Sequence, residues 1–413
     1  MVFSKKIDIY YFITLLFLLL SANASFLSVS NIAWFLIIVF MCLLAIGRKL
    51  LLPGDLKTIG LFSLVYLLFV SVRDFTINDL DVQFFISDVI FLFKFVFLSF
   101  IFCTILKEKA AAYIVTVITH LTILSFFFFS FQLLDLGEYI YKFSSALNLR
   151  YSHEFPGYTN FLFFTFIKGQ DEYRNSGFVW EPGSFGCFLV IALLLNFFLN
   201  NFTFDKKSKI LIIGIITTLS TTDYLALLIL LFCAYRFKVP KINFWAIVIV
   251  LVSALIIIFL PILGDKISDT YYNDISDLNR LKTLEIFYQH NHMQIPLNRF
   301  ASMVYIYNLF GFKLILGVSN KYDAILNRTF DINISNGIFD FLAKFGLVGF
   351  IFLIYHYSRF CLANVLKWEY LIYCILVLLL VGFGEPILFL PIILMFIFMP
   401  VVQTRLSKKV LGN

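Results

Sequence analysis

The sequence predicts an all-α, polytopic membrane protein of about 12 transmembrane helical segments, and three observations lead there. Apolar residues make up 61% of the 413-residue chain and charged residues only 14%, with a mean hydropathy of +0.93. No soluble core of this size hides so much apolar surface, so the bilayer is the expected partner. Second, runs of about 20 apolar residues recur along the whole chain, each able to cross about 30 Å of hydrocarbon. Third, Lys and Arg gather in short groups between those runs, a pattern of topology rather than nucleic-acid binding, so the formal charge of +7 marks no DNA or RNA partner.

Taken in order, apolar runs cover Ile9 to Leu27, Asn31 to Gly47, Thr58 to Val72, Phe84 to Leu106 and Ala110 to Leu134. Others follow at Ser184 to Phe204, Ile210 to Tyr235, Asn243 to Gly264, Gly337 to Tyr357, Trp368 to Phe383 and Pro386 to Val402. The first run follows Lys5 and Lys6 without a small-residue cleavage site, so it reads as a retained helix rather than a secretory signal. More than half of the 32 basic residues lie in connections that the positive-inside rule assigns to the cytoplasm. Both termini are then cytoplasmic. Both ends of Ile210 to Tyr235 are cytoplasmic too, so residues 210–235 are expected to form a short helical hairpin broken at Ser220-Thr221-Thr222-Asp223. Each arm would rise only about 17 to 20 Å. Its polar tip must then face protein or a water-filled cavity.

Residues 1–413 therefore read as a single membrane domain with two long outer loops, 135–183 and 265–336. Six cysteines form no CxxC pair or metal-type cluster and read as small core residues. Asp88 and Lys94 lie in one apolar run about 120° apart around a helix, so they are not expected to pair, and His120 reads as packing.

The reactive side chains concentrate in the outer loops, where a rigid scaffold usually holds its sites. The first loop closes with Arg174-Asn-Ser-Gly177-Phe-Val-Trp180-Glu181-Pro182-Gly183-Ser-Phe-Gly186 and runs straight into an apolar helix. Pro182 and Gly183 read as a turn, Ser184 as a helix cap and Trp180 as a residue at headgroup level. Arg174 and Glu181 fit either an interfacial ion pair or an anion clamp with a general base. In the second loop, Arg299 to Phe310 reads as an interfacial helix. Asn336, Asp340 and Lys344 then fall at i, i+4 and i+8 on one helical face, where an ion pair in a membrane helix points to function. Glu385-Pro386 closes a membrane helix on the outer side, where Glu385 can face the same cavity as Glu181. No nucleotide-binding loop, HExxH or DxD-like metal pair is present, so no cofactor and no metal are expected.

Three stretches in this order, Arg174-x-x-Gly177 with Glu181-Pro182-Gly183, Arg299 followed by Gly317 in an LxGV-like turn, and Asn336 ahead of a helix carrying Gly346 and Gly349, resemble the O-antigen polymerase (Wzy type) and O-antigen ligase superfamily of membrane glycosyltransferases. The resemblance implies a GT-C type fold in a bacterial inner membrane and a donor glycan on undecaprenyl diphosphate. Transfer onto a lipid-linked oligosaccharide repeat unit on the outer face would build an O-antigen or related surface polysaccharide, with a chain-length regulator and a flippase as partners. It further implies that Arg174 and Arg299 grip the diphosphate as it leaves. Glu181 is the candidate base, with His290 or His292 as substitutes, while Arg280, Arg328, Trp180, Asn336, Asp340 and Lys344 are candidate substrate-binding residues. Ser335 stands where ligases carry a His before the closing Asn, which favours polymerase over transfer to lipid A core. The hairpin tip lacks the Arg seen in many relatives. The rival of another class is a precursor transporter or flippase, but the expected half-to-half similarity is not visible.

Overall fold

The computed structural model describes residues 8–77, 82–134, 136–146, 158–167, 173–238, 272–273, 276, 278–284, 295–327, 332–365 and 368–399. Helices dominate them. Helix α1 (Ile9–Ser21) starts where the Asp8 carboxylate accepts the Tyr10 N–H at 3.0 Å. A single turn, α2 (Phe26–Val29), leads into α3 (Asn31–Gly47), which Ser30 caps. Next come α4 (Pro53–Ile77), α5 (Val82–Phe91), a π-helical turn over Leu92–Val96, α6 (Phe97–Leu106), a tight turn over Lys107–Lys109 and α7 (Ala110–Leu133). After α8 (Gly137–Ala146) and a β-hairpin of β1 (Tyr158–Phe161) and β2 (Phe164–Ile167) come α9 (Pro182–Leu199), α10 (Lys206–Thr217) and α11 (Thr221–Lys238). The second long loop contributes β3 (Ile295–Leu297), α12 (Arg299–Phe310), a 3-10 turn over Gly311–Ile315, α13 (Asp323–Leu326) and β4 (Ile332–Ile334). The chain continues through α14 (Gly337–Val365), α15 (Trp368–Gly384) and α16 (391–399).

Four helical stretches among the described residues, Pro53–Ile77, Val82–Leu133, Pro182–Leu199 and Gly337–Val365, are long and apolar enough to cross a membrane. Three shorter ones, Ile9–Ser21, Asn31–Gly47 and Trp368–Gly384, are also apolar. The apolar run expected at Asn243 to Gly264 lies outside the described residues. Within this set α9 is the axis. Its most apolar window is 89% buried against 17% for α4, whose outward Leu61, Leu64, Val65 and Leu68 suit lipid contact.

The next two helices fold back along α9. Asp205 and Ser208, at the start of α10, bond Asn196 near the end of α9, and Gly214 packs on Leu189 farther up. Asp223, at the start of α11, then meets Gly186 and Cys187, while Phe237 at its end stacks on Phe202. The chain therefore rises and returns within α10 and α11, breaking at Thr218–Ser220, where Tyr224 donates back to the Ile216 carbonyl at 2.7 Å.

Helix α14 is interrupted. Gly346 has φ +69° and ψ 179°, and its backbone presses on that of Gly317, itself at φ +75°. A Cβ on Gly346 would sit 2.3 Å from the Leu316 carbonyl carbon, so only glycine fits. The break frees helix carbonyls, and both receive partners: Val318 N–H donates to Ala343 O at 2.6 Å and Arg73 to Lys344 O at 3.0 Å. The LxGV-like turn thus plugs into the helix. Around it Leu297, Ala301, Ile306, Phe310, Val318, Tyr322, Ile332 and Ile334 form a small apolar core of their own. This folded cap includes β3 and β4, which pair in parallel.

Two sequence expectations change here. The connection expected at Arg73 to Gln83 begins inside α4, because Arg73 is fully buried with Asp74 and Asp88 and the helix continues to Ile77. Pro182 and Gly183 are the first residues of α9 rather than a turn, with Glu181 at the N-cap position and Pro182 where a missing N–H costs nothing.

Candidate functional site

The two loops meet at the start of α9 and the end of α15. Segment 174–177 is stitched to the α10 terminus: Asn175 N–H donates to Thr217 O at 3.0 Å, the Asn175 amide to Thr217 and Ser125 hydroxyls, and Arg174 Nε to Thr218 O at 3.0 Å. Gly177, at φ +51°, makes the turn that brings the chain under Phe185. Thr165 of β2 then holds the Gly177 and Val179 carbonyls.

Beyond that turn Trp180 Nε1 donates to Glu181 Oε1 at 2.9 Å. The Ser184 hydroxyl lies 3.3 Å from Glu181 Oε1 and 3.1 Å from Glu385 Oε2. Ser184 is therefore a bridge between carboxyls rather than the expected cap. Gly183 permits this approach, since a Cβ there would sit 2.2 Å from Glu385 Oε1. Arg299 closes the cluster from the second loop, with Nε donating to Gly384 O at 2.9 Å and Nη2 to Glu385 Oε1 at 3.3 Å. Its side chain is 34% exposed, and its Nη1 has no partner among the described residues.

One hydroxyl proton cannot satisfy two carboxylates, so the arrangement calls for a proton on one of them. Glu385 is the group to carry it. It sits in the connection after α15, where burial, and then the Glu181 carboxylate beside it, push its carboxyl well above the usual range against the pull of Arg299. Behind this cluster Asp223 is fully buried, with Oδ2 unpartnered, and both Arg174 and Arg299 lie within its electrostatic reach. The first and second loops and the helical hairpin thus contribute to one charged locus.

Asn336 positions Arg299 rather than pointing outward: its amide donates to Arg299 O at 3.1 Å, and its Oδ1 accepts from the Ile338 and Phe339 N–H groups that open α14. Asp340 and Lys344 pair at 2.9 Å, with Tyr322 donating to Asp340 at 2.7 Å and the ammonium 3.7 Å from the Phe389 ring centre. They border a separate cavity. Arg280 stands exposed on the 278–284 segment. His290, His292 and Arg328 lie outside the described residues.

Asp88, which the sequence separates from Lys94, bonds Arg73, Ser319 and the Asn320 N–H, while Lys94 donates to Asn31. Sequence reasoning did not place Ser184, Asp223 or Arg73 in polar clusters. Polar residues inside apolar runs were the available signal. Among the described residues no group of three or more His, Cys, Asp or Glu is arranged to hold a metal ion. Comparison with known proteins adds no relative to this picture, since no family model, no curated protein and no solved structure matches the chain.

Proposed function

We propose that this chain is a membrane glycosyltransferase of the polysaccharide-polymerase kind, moving a growing glycan from undecaprenyl diphosphate onto a lipid-linked oligosaccharide. In this reading it lies in the bacterial inner membrane as about 12 helical segments of GT-C type, termini in the cytoplasm and both long loops outside. The observation that carries the reading is the Arg299–Glu385–Ser184–Glu181 cluster, which unites the two arginine-bearing loops at one apolar helix mouth.

The chemistry follows from the donors. Arg299 offers its unengaged Nη1 to a diphosphate oxygen, and a second oxygen can displace Glu385 from Nη2. Arg174 adds a second positive charge from the hairpin side. The acceptor hydroxyl attacks the anomeric carbon, the bond from that carbon to the diphosphate oxygen breaks, and the leaving charge is held by the arginines. Glu181 takes the hydroxyl proton. Glu385, already protonated, keeps a second negative charge away from the leaving group.

Replacing Arg299, and separately Arg174, by Ala and resolving surface glycans on a gel tests this. Loss of long chains with single repeats retained supports the polymerase. Long chains stranded on the lipid carrier would indicate the ligase, for which the Ser335 hydroxyl is engaged on Leu297 O at 2.8 Å in place of a His. The broken helix at Gly346, flanked by Arg73, Asp88 and Lys344, favours a second reading as a precursor transporter, because discontinuous helices with buried charge are typical of transport sites. Unchanged polymer with altered precursor sidedness would support it.

A further inference from the structure

A cavity of about 380 Å³ lies on the other side of the Glu385–Pro386 link from the arginine cluster. Pro386 forms part of its wall, and Tyr322, Asp323, Asn333, Asp340 and Lys344 supply its polar lining. That volume falls within the roughly 300 to 1,000 Å³ of small-molecule pockets and far exceeds the space of a single ion. We propose that this cavity is a subsite for a neutral saccharide, the acceptor end of the glycan, distinct from the diphosphate grip at Arg299; the assignment of the sugar as acceptor rests on the transferase reading above.

Charge excludes the phosphate. Among the described lining residues two carboxylates, Asp323 and Asp340, stand against one cation, Lys344, and that cation is already paired with Asp340 at 2.9 Å. A diphosphate would meet net negative charge here, whereas at Arg299 it meets an unengaged guanidinium edge. The hydrogen-bonding equipment suits hydroxyls instead. Ile332 and Ile334 of β4 face the small apolar core, so by strand alternation the half-buried Asn333 side chain faces the opposite way. Its amide has no hydrogen-bond partner among the described residues, leaving both a donor and an acceptor for a sugar ring. The same strand pair leads through Leu297 directly to Arg299, so a sugar here sits one strand from the reacting bond.

The test uses the full chain in lipid nanodiscs. Saturation-transfer NMR follows glucose, galactose, mannose, N-acetylglucosamine and N-acetylgalactosamine, while phosphorus line broadening follows inorganic diphosphate. At least one neutral sugar should give transfer that falls about tenfold in Asn333→Leu. The signal should persist in Asn333→Gln, which keeps the amide, and in Arg299→Ala. Diphosphate broadening should show the reverse, lost in Arg299→Ala and kept in Asn333→Leu. The proposal is overturned if no sugar of the panel binds, if Asn333→Leu binds sugar as well as the native chain, or if Asn333→Leu is the variant that loses diphosphate. Because polymer length in cells reports on Arg299, the transferase reading can fail while the sugar site stands, and the reverse.

Discussion

Two arginines in this molecule each hold a carboxylate, and they are held very differently. Arg73 is fully buried, with Nε and Nη2 on Asp74 Oδ1 at 3.2 and 3.1 Å, Nη2 also on Asp88 and Nη1 on Lys344 O at 3.0 Å. Asp88 is itself saturated by Ser319 and the Asn320 N–H. Arg299 is one-third exposed, grips Glu385 and Gly384 O along one edge and leaves Nη1 unengaged among the described residues. Identical chemistry therefore serves two ends. A guanidinium with every nitrogen engaged pins α4, α5 and the broken α14 together, while one with an open edge has capacity left for a ligand.

The contrast breaks first at Arg73. Arg73→Met strands two buried carboxylates and should cost about 3–5 kcal/mol, read as loss of the folded peak in detergent chromatography. Adding Asp88→Asn should recover part of that loss, because the stranded charge is then removed. A folded, native-like melting temperature for Arg73→Met alone would deny it a pinning role.

Next in size is Gly346→Ala. Positive φ and a Cβ 2.3 Å from the Leu316 backbone together should cost about 2–5 kcal/mol. Thermal unfolding measures it, and a shift no larger than that of Gly60→Ala, where nothing lies within 4 Å of the added carbon, would show that the turn is free to move away.

Glu385→Gln sharpens the other side. The native carboxyl is raised above its ordinary 4.5 by burial and by Glu181, so the folded chain binds a proton that the unfolded chain has released. Stability should then fall as pH rises above about 4.5 toward the raised folded value, and Glu385→Gln should flatten that slope. An equal slope in both proteins assigns the effect elsewhere. Trp180→Phe is the mildest change, removing one 2.9 Å bond to Glu181, and should lower stability by about 0.5–1.5 kcal/mol in the same melts. A larger loss would mean that the indole packs more than it bonds.

Much of this was legible from residues alone. Apolar runs mark the helices, the i, i+4 spacing marks the Asp340–Lys344 pair, and the polar Ser220–Asp223 stretch lies beside the break at Thr218–Ser220. Arg73 was not legible, because Arg-Asp beside Thr76 looks like a loop until Asp88 and Ser319, 231 residues apart, are folded onto it. The interruption of α14 was hidden for a related reason: a glycine in an apolar run is normally tolerated in a helix, and only the approach of Gly317 forces it into positive φ. The small strands of both loops are three or four residues long, too short for alternation to register.

The difference between the two arginines is tested most directly by Arg299→Ala, with folded yield and surface-glycan length measured on the same cells. The account predicts folded protein near native levels, in contrast to Arg73→Met, and polymer synthesis reduced about 10²–10³-fold with single repeats retained. Long polymer at native abundance from folded Arg299→Ala would contradict it.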